Sequence, residues 1–96
     1  MDIIFGDFIW DAFKDFLNAQ KHGVDFVTAT EVFKDQKRRY YRDPAHSKME
    51  ERFMCVGKVE GGILTVRFTY RAGRVRIFGA GYWRKGERRY YEEKRS

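Results

Sequence analysis

The sequence predicts an α+β domain, an antiparallel sheet carrying two N-terminal helices and one C-terminal helix. Three observations lead there. Two early helical runs each begin at an aspartate, and the first stops at Gly23. Between residues 52 and 83, three alternating apolar runs are separated by glycine-containing turns, which is the pattern of an antiparallel meander. From about Arg84 the chain changes to a basic, helix-like run. At 96 residues the sequence is the size of a single domain with one modest core, taken as residues 1–96.

Residues 3 to 9 read as a short strand, apolar at Ile3, Phe5 and Ile9 and broken by Gly6 and Asp7. Asp11 then suits a helix N-cap, because its carboxylate accepts from free amides of the first turn. Phe13, Phe16 and Leu17, spaced i, i+3 and i+4, predict a buried stripe on a helix over 11–22, with Trp10 near its start. Gly23 is a natural stop after Lys21 and His22. Asp25 begins a second, shorter helix that buries Phe26, Ala29, Val32 and Phe33. Arg39, Tyr40 and Tyr41 form a brief strand, and Asp43 to Glu50 a polar loop. RFMCVGKV, ILTVRFTY and RVRIFGAGYW are the meander strands, turning at Gly61-Gly62 and Ala72-Gly73. Glu87, Arg88, Tyr91 and Glu92 belong to the terminal helix, where Gly86 costs about 1 kcal/mol relative to Ala. The predicted order is β-α-α-β-β-β-β-α.

Charge is unevenly distributed. Residues 67 to 96 carry ten of the twenty Lys and Arg and three of the fourteen acids, a formal +7, while the rest of the chain sums to −1. Residues 1 to 33 stand at −4, so the two ends either attract each other or face different partners. Arg74 and Arg76 fall on one strand face with Phe78, opposite Val75 and Ile77. A strand presenting arginines beside a basic aromatic helix suits an anionic polymer. The single Cys55 excludes an internal disulfide and a multi-cysteine zinc site, and its apolar neighbours make it a core thiol. The amino terminus has no basic n-region and is interrupted by Asp2, Asp7 and Asp11, so neither a signal peptide nor a membrane span is expected, and a cytoplasmic location follows by default.

The stretch WDAFKDFLNAQKHGVDF, with Trp10, Asp11, Lys14, Asn18, Lys21, His22, Gly23, Val24 and Phe26, resembles the amino-terminal signature of the BrnT toxins. Asp43-Pro44-Ala45-His46-Ser47, Glu51-Arg52-Phe53, Gly57, Val66, Thr69, Arg76-Ile77, Glu87-Arg88 and Tyr91-Glu92 extend the likeness over nearly the whole chain. The resemblance implies a RelE-like toxin fold and a growth-arresting ribonuclease of a type II toxin-antitoxin system. It also implies neutralisation by a cognate BrnA-like antitoxin with a ribbon-helix-helix DNA-binding domain, in a two-plus-two assembly. The chain departs from the pattern after the last strand, where relatives commonly read Ile-Ser-Ala-Arg and this chain reads Phe78-Gly79-Ala80-Gly81. Glycine stands in the arginine's place, and Arg84 or Lys85 is left to substitute for it.

Metal-free RNA cleavage needs a proton acceptor, a proton donor and cations for the phosphorane charge. Losing one such charge-stabilising donor typically costs about 3 to 4 kcal/mol. Arg52, Arg74 and Arg76 are the candidate catalytic cations, since a guanidinium binds phosphate oxygens in pairs. The alternative is a solvated face paired with Glu50, Glu51 or Glu60. Glu87 is the carboxylate candidate for a base, with Arg88 beside it as a further catalytic candidate, or else Glu87 makes an ordinary helix ion pair. Arg84 and Lys85 are candidate RNA contacts. Tyr91 either stacks on a base or donates a proton, or it packs on the sheet. His22 is read chiefly as a helix-end residue and His46 as a turn residue. No metal site and no cofactor are expected. A non-catalytic basic domain that binds an acidic antitoxin or RNA is the alternative to the ribonuclease.

Overall fold

The computed structural model describes residues 1–92. Among these residues six strands form one sheet in the order β1-β2-β6-β5-β4-β3, with β1 at Asp2–Phe5, β2 at Phe8–Asp11, β3 at Arg39–Arg42, β4 at Phe53–Val59, β5 at Gly62–Arg71 and β6 at Arg74–Gly81. Neighbouring strands are antiparallel except β2 and β6, which run parallel with Phe8 opposite Val75 and Ile9 opposite Arg76. The helices are α1 at Ala12–His22, α2 at Phe26–Thr30 and α3 at Arg84–Tyr91. Short 3-10 turns follow at Glu31–Lys34 and Pro44–His46.

The expected meander is present as β4, β5 and β6, and the α+β class and the three helices stand as predicted. The single strand expected over residues 3 to 9 is instead a hairpin. Gly6 takes a left-handed φ of 59° and turns the chain back, so β1 pairs with β2 and the sheet gains a strand. Both helix starts behave as read. Asp11 accepts from the Lys14 amide at 3.0 Å and Asp25 from the Thr28 amide at 2.8 Å, while Gly23 closes α1 at φ 70°. Asp15 accepts from the Phe26 amide at 2.8 Å, tying α1 to the start of α2.

One face of the sheet is covered by α2 and the following 3-10 turn, which bury Phe26, Ala29 and Val32 against Trp10, Cys55, Leu64, Val66, Phe68 and Ile77. Cys55 is a core thiol, pushed up to about 12 by burial.

The predicted buried stripe of α1 is a correction. Phe13, Phe16 and Leu17 are 63%, 57% and 47% exposed, and the buried residue of the helix is Asn18. The cause is where α1 lies. Pairing of β2 with β6 stops at Arg76, which leaves the rest of β6 an open edge. Asn18 fills it, accepting from the Ala80 amide at 3.2 Å and donating to the Ala80 carbonyl at 2.9 Å and the Val24 carbonyl at 3.0 Å. The helix therefore runs along a strand edge with a polar residue inward, and its apolar stripe is turned away.

The second face of the sheet is covered only in part. Gly86 of α3 lies so close to Thr65 that an added Cβ would stand 1.9 Å from the hydroxyl oxygen. The glycine that weakens the helix is what lets it seat on β5.

Candidate nucleic-acid interface

The uncovered part of the second sheet face is built around a β-bulge in β6. Arg67 pairs with Gly79 and Phe68 with Ile77, which leaves Phe78 as the extra residue. The bulge keeps Ile77 and Ala80 in the core and sets Phe78 on the open face beside Arg76. There the Arg52 guanidinium lies 4.1 Å from the Phe78 ring centroid and the Lys14 ammonium 5.5 Å away. Arg52, just before β4, α1, and β6 thus meet at one aromatic ring.

The three arginines proposed from the sequence do not share one environment. Arg76 is mostly buried and grips Asp2 with both terminal nitrogens, at 2.9 and 3.2 Å. The hydrogen bond and charge of Asp2 raise the Arg76 pKa, and Arg76 in turn holds the Asp2 carboxyl below the usual carboxylate range. This pair joins the acidic start of the chain to its basic end. Arg52 stands 3.8 Å from Glu50, which also takes Arg71 at 2.9 Å. Arg74 is exposed at the far end of β6 and donates to the Gly6 carbonyl at 3.4 Å. Acids thus already neutralise part of the strand's positive charge. Of the carboxylates suggested as partners, Glu50 takes that role for Arg52, whereas the partner of Arg76 is Asp2.

A second group of cations was not singled out as a site from the sequence. Lys14, Lys21, His22 and Arg67 line a groove of about 320 Å3 between α1, β6 and the start of α3, with Phe78 and Trp83 as aromatic walls. No acid lines it, and Lys14, Lys21 and Arg67 have no ion-pair partner among the described residues. The Trp83 ring meets the His22 ring edge-on, with centroids 5.4 Å apart. Two signals were present in the sequence. Lys14 and Lys21 are seven residues apart, hence on one flank of a helix, and Arg67 alternates with Thr65 and Thr69 on the outward side of β5. What joins them is the docking of α1 at the edge of β6.

Gly81, where the resemblance fails, is buried under Trp83. A Cβ at Gly81 would lie 2.5 Å from the indole Cε2. Trp83 therefore occupies the space over this position, and glycine makes room for it.

On α3 the inward residue is Gly86, while Arg84, Lys85, Glu87, Arg88 and Tyr91 are exposed. No hydrogen bond or ion pair among the described residues joins Glu87 or Arg88 to Arg52, Arg74 or Arg76. Tyr91 does not pack on the sheet. It lines a wider mixed-charge groove with Asp35, Lys37, Arg38 and Arg39. Asp35 organises that end by accepting from the Lys37 and Lys58 amides at 2.9 and 2.8 Å and from the Tyr90 hydroxyl at 2.5 Å. Burial and the Asp35 charge push the Tyr90 hydroxyl up to about 12. His46 faces Asp43 at 3.0 Å within its turn and is not among the residues that line the groove.

Among the described residues no group of three His, Cys, Asp or Glu side chains is placed to hold a metal ion, and no helix is long and apolar enough to cross a membrane. A comparison with curated proteins finds no match. The family described as ribonuclease toxin, BrnT, of type II toxin-antitoxin system matches residues 10–87, a span that holds both the Asn18 edge contact and every residue of the groove. The chain belongs to the BrnT family of type II toxin-antitoxin ribonuclease toxins.

Proposed function

We propose that this chain cleaves RNA, and that the groove between α1 and β6 holds the phosphate at which the strand is cut. The observation that carries this reading is a set of three cations, Lys14, Lys21 and Arg67, that are unpaired and without an acid beside them among the described residues, between two aromatic walls of one pocket. A phosphodiester supplies the missing negative charge, and flanking bases have Phe78 and Trp83 to stack on.

In the reaction the ribose 2′-oxygen bonds to phosphorus as the bond to the 5′-oxygen breaks, giving a 2′,3′-cyclic phosphate and a 5′-hydroxyl end. Lys14, Lys21 and Arg67 hold the charge that builds on the non-bridging oxygens. The imidazole of His22 takes the 2′ proton, and the imidazolium so formed, or an ammonium of the groove, gives one to the departing 5′-oxygen. Arg52, fixed on Phe78, and Arg76, fixed on Asp2, border this site and draw the backbone along the open sheet face. Arg74 extends that track at its far end. Arg84, Lys85, Arg88 and Tyr91 extend the cationic surface along α3, with Glu87 among them.

A partner of the antitoxin class, of ribbon-helix-helix type, neutralises the chain in this reading. The neutralised arginines favour one rival, a domain that binds RNA or an acidic protein without cutting. Incubating the purified chain and its Arg67→Ala and His22→Ala variants with total RNA in EDTA separates the two. Cleavage by the parent chain that both substitutions abolish is expected. Intact RNA with the parent chain assigns it to the binder, and cleavage that survives both substitutions moves the reaction out of the groove.

A further inference from the structure

Among the described residues nothing covers the outward ridge of α1. Phe13 and Phe16 lie on the side away from Asn18, with Leu17 beside them at the rim of the groove; all three are exposed, and the Phe13 and Phe16 rings stack at 6.5 Å with planes 20° apart. A preformed aromatic pair facing water on a helix of eleven residues is a costly surface, since burying apolar area is favourable. The i, i+3, i+4 spacing is that of anchors for a second helix laid alongside.

The charge along the ridge selects the occupant. Lys14 and Lys21, two turns apart, flank it on the side facing the groove, and neither has an ion-pair partner among the described residues. A helix with an apolar stripe and acids on one flank complements both features. The same two ammonium groups line the groove to which RNA cleavage is assigned above. Acids set on them would remove the cations that a phosphate needs.

We propose that the α1 ridge is the docking surface of the chain's neutralising protein. That partner lays an acidic, amphipathic helix along Phe13, Phe16 and Leu17, places its carboxylates on Lys14 and Lys21, and so competes with RNA for them. The inference rests on the ribonuclease reading for its consequence, but the docking itself is measured without RNA.

The test is calorimetric titration of the purified product of the adjacent reading frame into the full chain and into the double variant Phe13→Ser, Phe16→Ser. Both positions lie outside the groove lining, so RNA cleavage by the double variant should match the parent. Loss of two anchors should weaken binding by about 30-fold or more, the scale of an interface hot spot, and Phe13→Leu, Phe16→Leu should restore most of it. Raised salt should weaken binding to the parent chain, and added partner should raise the RNA concentration needed for half-maximal cleavage. Equal binding to parent and double variant, or no binding to the parent, overturns the proposal. So does sedimentation showing that the parent chain dimerises while the double variant is monomeric, because the ridge then belongs to a second copy. If the partner binds the ridge but the chain cuts no RNA, the ribonuclease reading fails and the docking surface stands. If the chain cuts RNA and the double variant binds the partner normally, the reverse holds.

Discussion

Asn18 and Ala80 are paired as two residues of neighbouring strands would be, one side-chain amide satisfying both the N–H and the C=O of a single residue. The contact seals the edge of β6 where β2 no longer reaches, and it fixes the rotation of α1 that turns Lys14 and Lys21 toward Arg67.

Asn18→Ala therefore leaves two buried backbone groups of Ala80 unpaired and should cost about 2–4 kcal/mol. Urea unfolding measures it. RNA cleavage should fall further than the loss of folded fraction explains, because the lysines are no longer positioned. A stability change below about 0.5 kcal/mol would show that water takes over the role.

Gly86→Ala sets helix propensity against packing. The substitution gains about 1 kcal/mol in an isolated helix. In the protein its Cβ would meet Thr65, and the overpacking cost of about 1–3 kcal/mol should win. Expected are a lower melting temperature and increased hydrogen exchange in α3; a more stable protein would mean that α3 lifts freely from β5.

Within the cationic surface the groove should matter more than the strand end. Arg67→Ala should lower the cleavage rate by about 100-fold or more, while Arg74→Ala, whose side chain reaches only the Gly6 carbonyl, should leave it close to the parent value. Single-turnover cleavage of a short RNA decides between them, and a larger loss for Arg74→Ala would move the phosphate toward the β1 hairpin.

Asp2 makes a prediction about acid. Arg76 holds its folded-state pKa below the unfolded value, so the pair's stabilisation is present above the ordinary carboxylate range and is lost as pH falls through the depressed value. Parent and Asp2→Asn should differ in stability near neutrality and converge under strongly acidic conditions. A difference that is constant with pH would exclude the ion pair as its source.

Tyr90 behaves in the opposite sense in alkali. Its hydroxyl is raised to about 12 by burial and by Asp35, so its contribution is complete below the unfolded tyrosine value and disappears as pH rises through 12. Tyrosinate absorbance should show a late-titrating component, to which Tyr70 also contributes, that shrinks by one tyrosine in Tyr90→Phe.

Much of the architecture could be read locally. The aspartate caps of α1 and α2, the Gly23 stop and the Ala72-Gly73 turn each follow from the needs of a few consecutive residues, and each is where the sequence placed it. Arg76 was legible as a functional candidate, but its bidentate partner Asp2 lies 74 residues away and no local pattern announces it. The α1 stripe failed for a related reason. Periodicity says that Phe13, Phe16 and Leu17 share a face, and it cannot say whether that face meets the sheet or a partner.

By itself, then, the sequence determined the class of the fold, the family signature and the concentration of positive charge near the C-terminus, because these depend on residue type and short spacing. The tertiary structure decided which cations remain free. Asp2 and Glu50 neutralise Arg76, Arg71 and Arg52, whereas docking of α1 on the edge of β6 gathers Lys14, Lys21 and Arg67 with no acid among them in the described residues. Electrostatic attraction falls with distance through space and not along the chain, so only the folded arrangement distinguishes a paired arginine from one available to a phosphate.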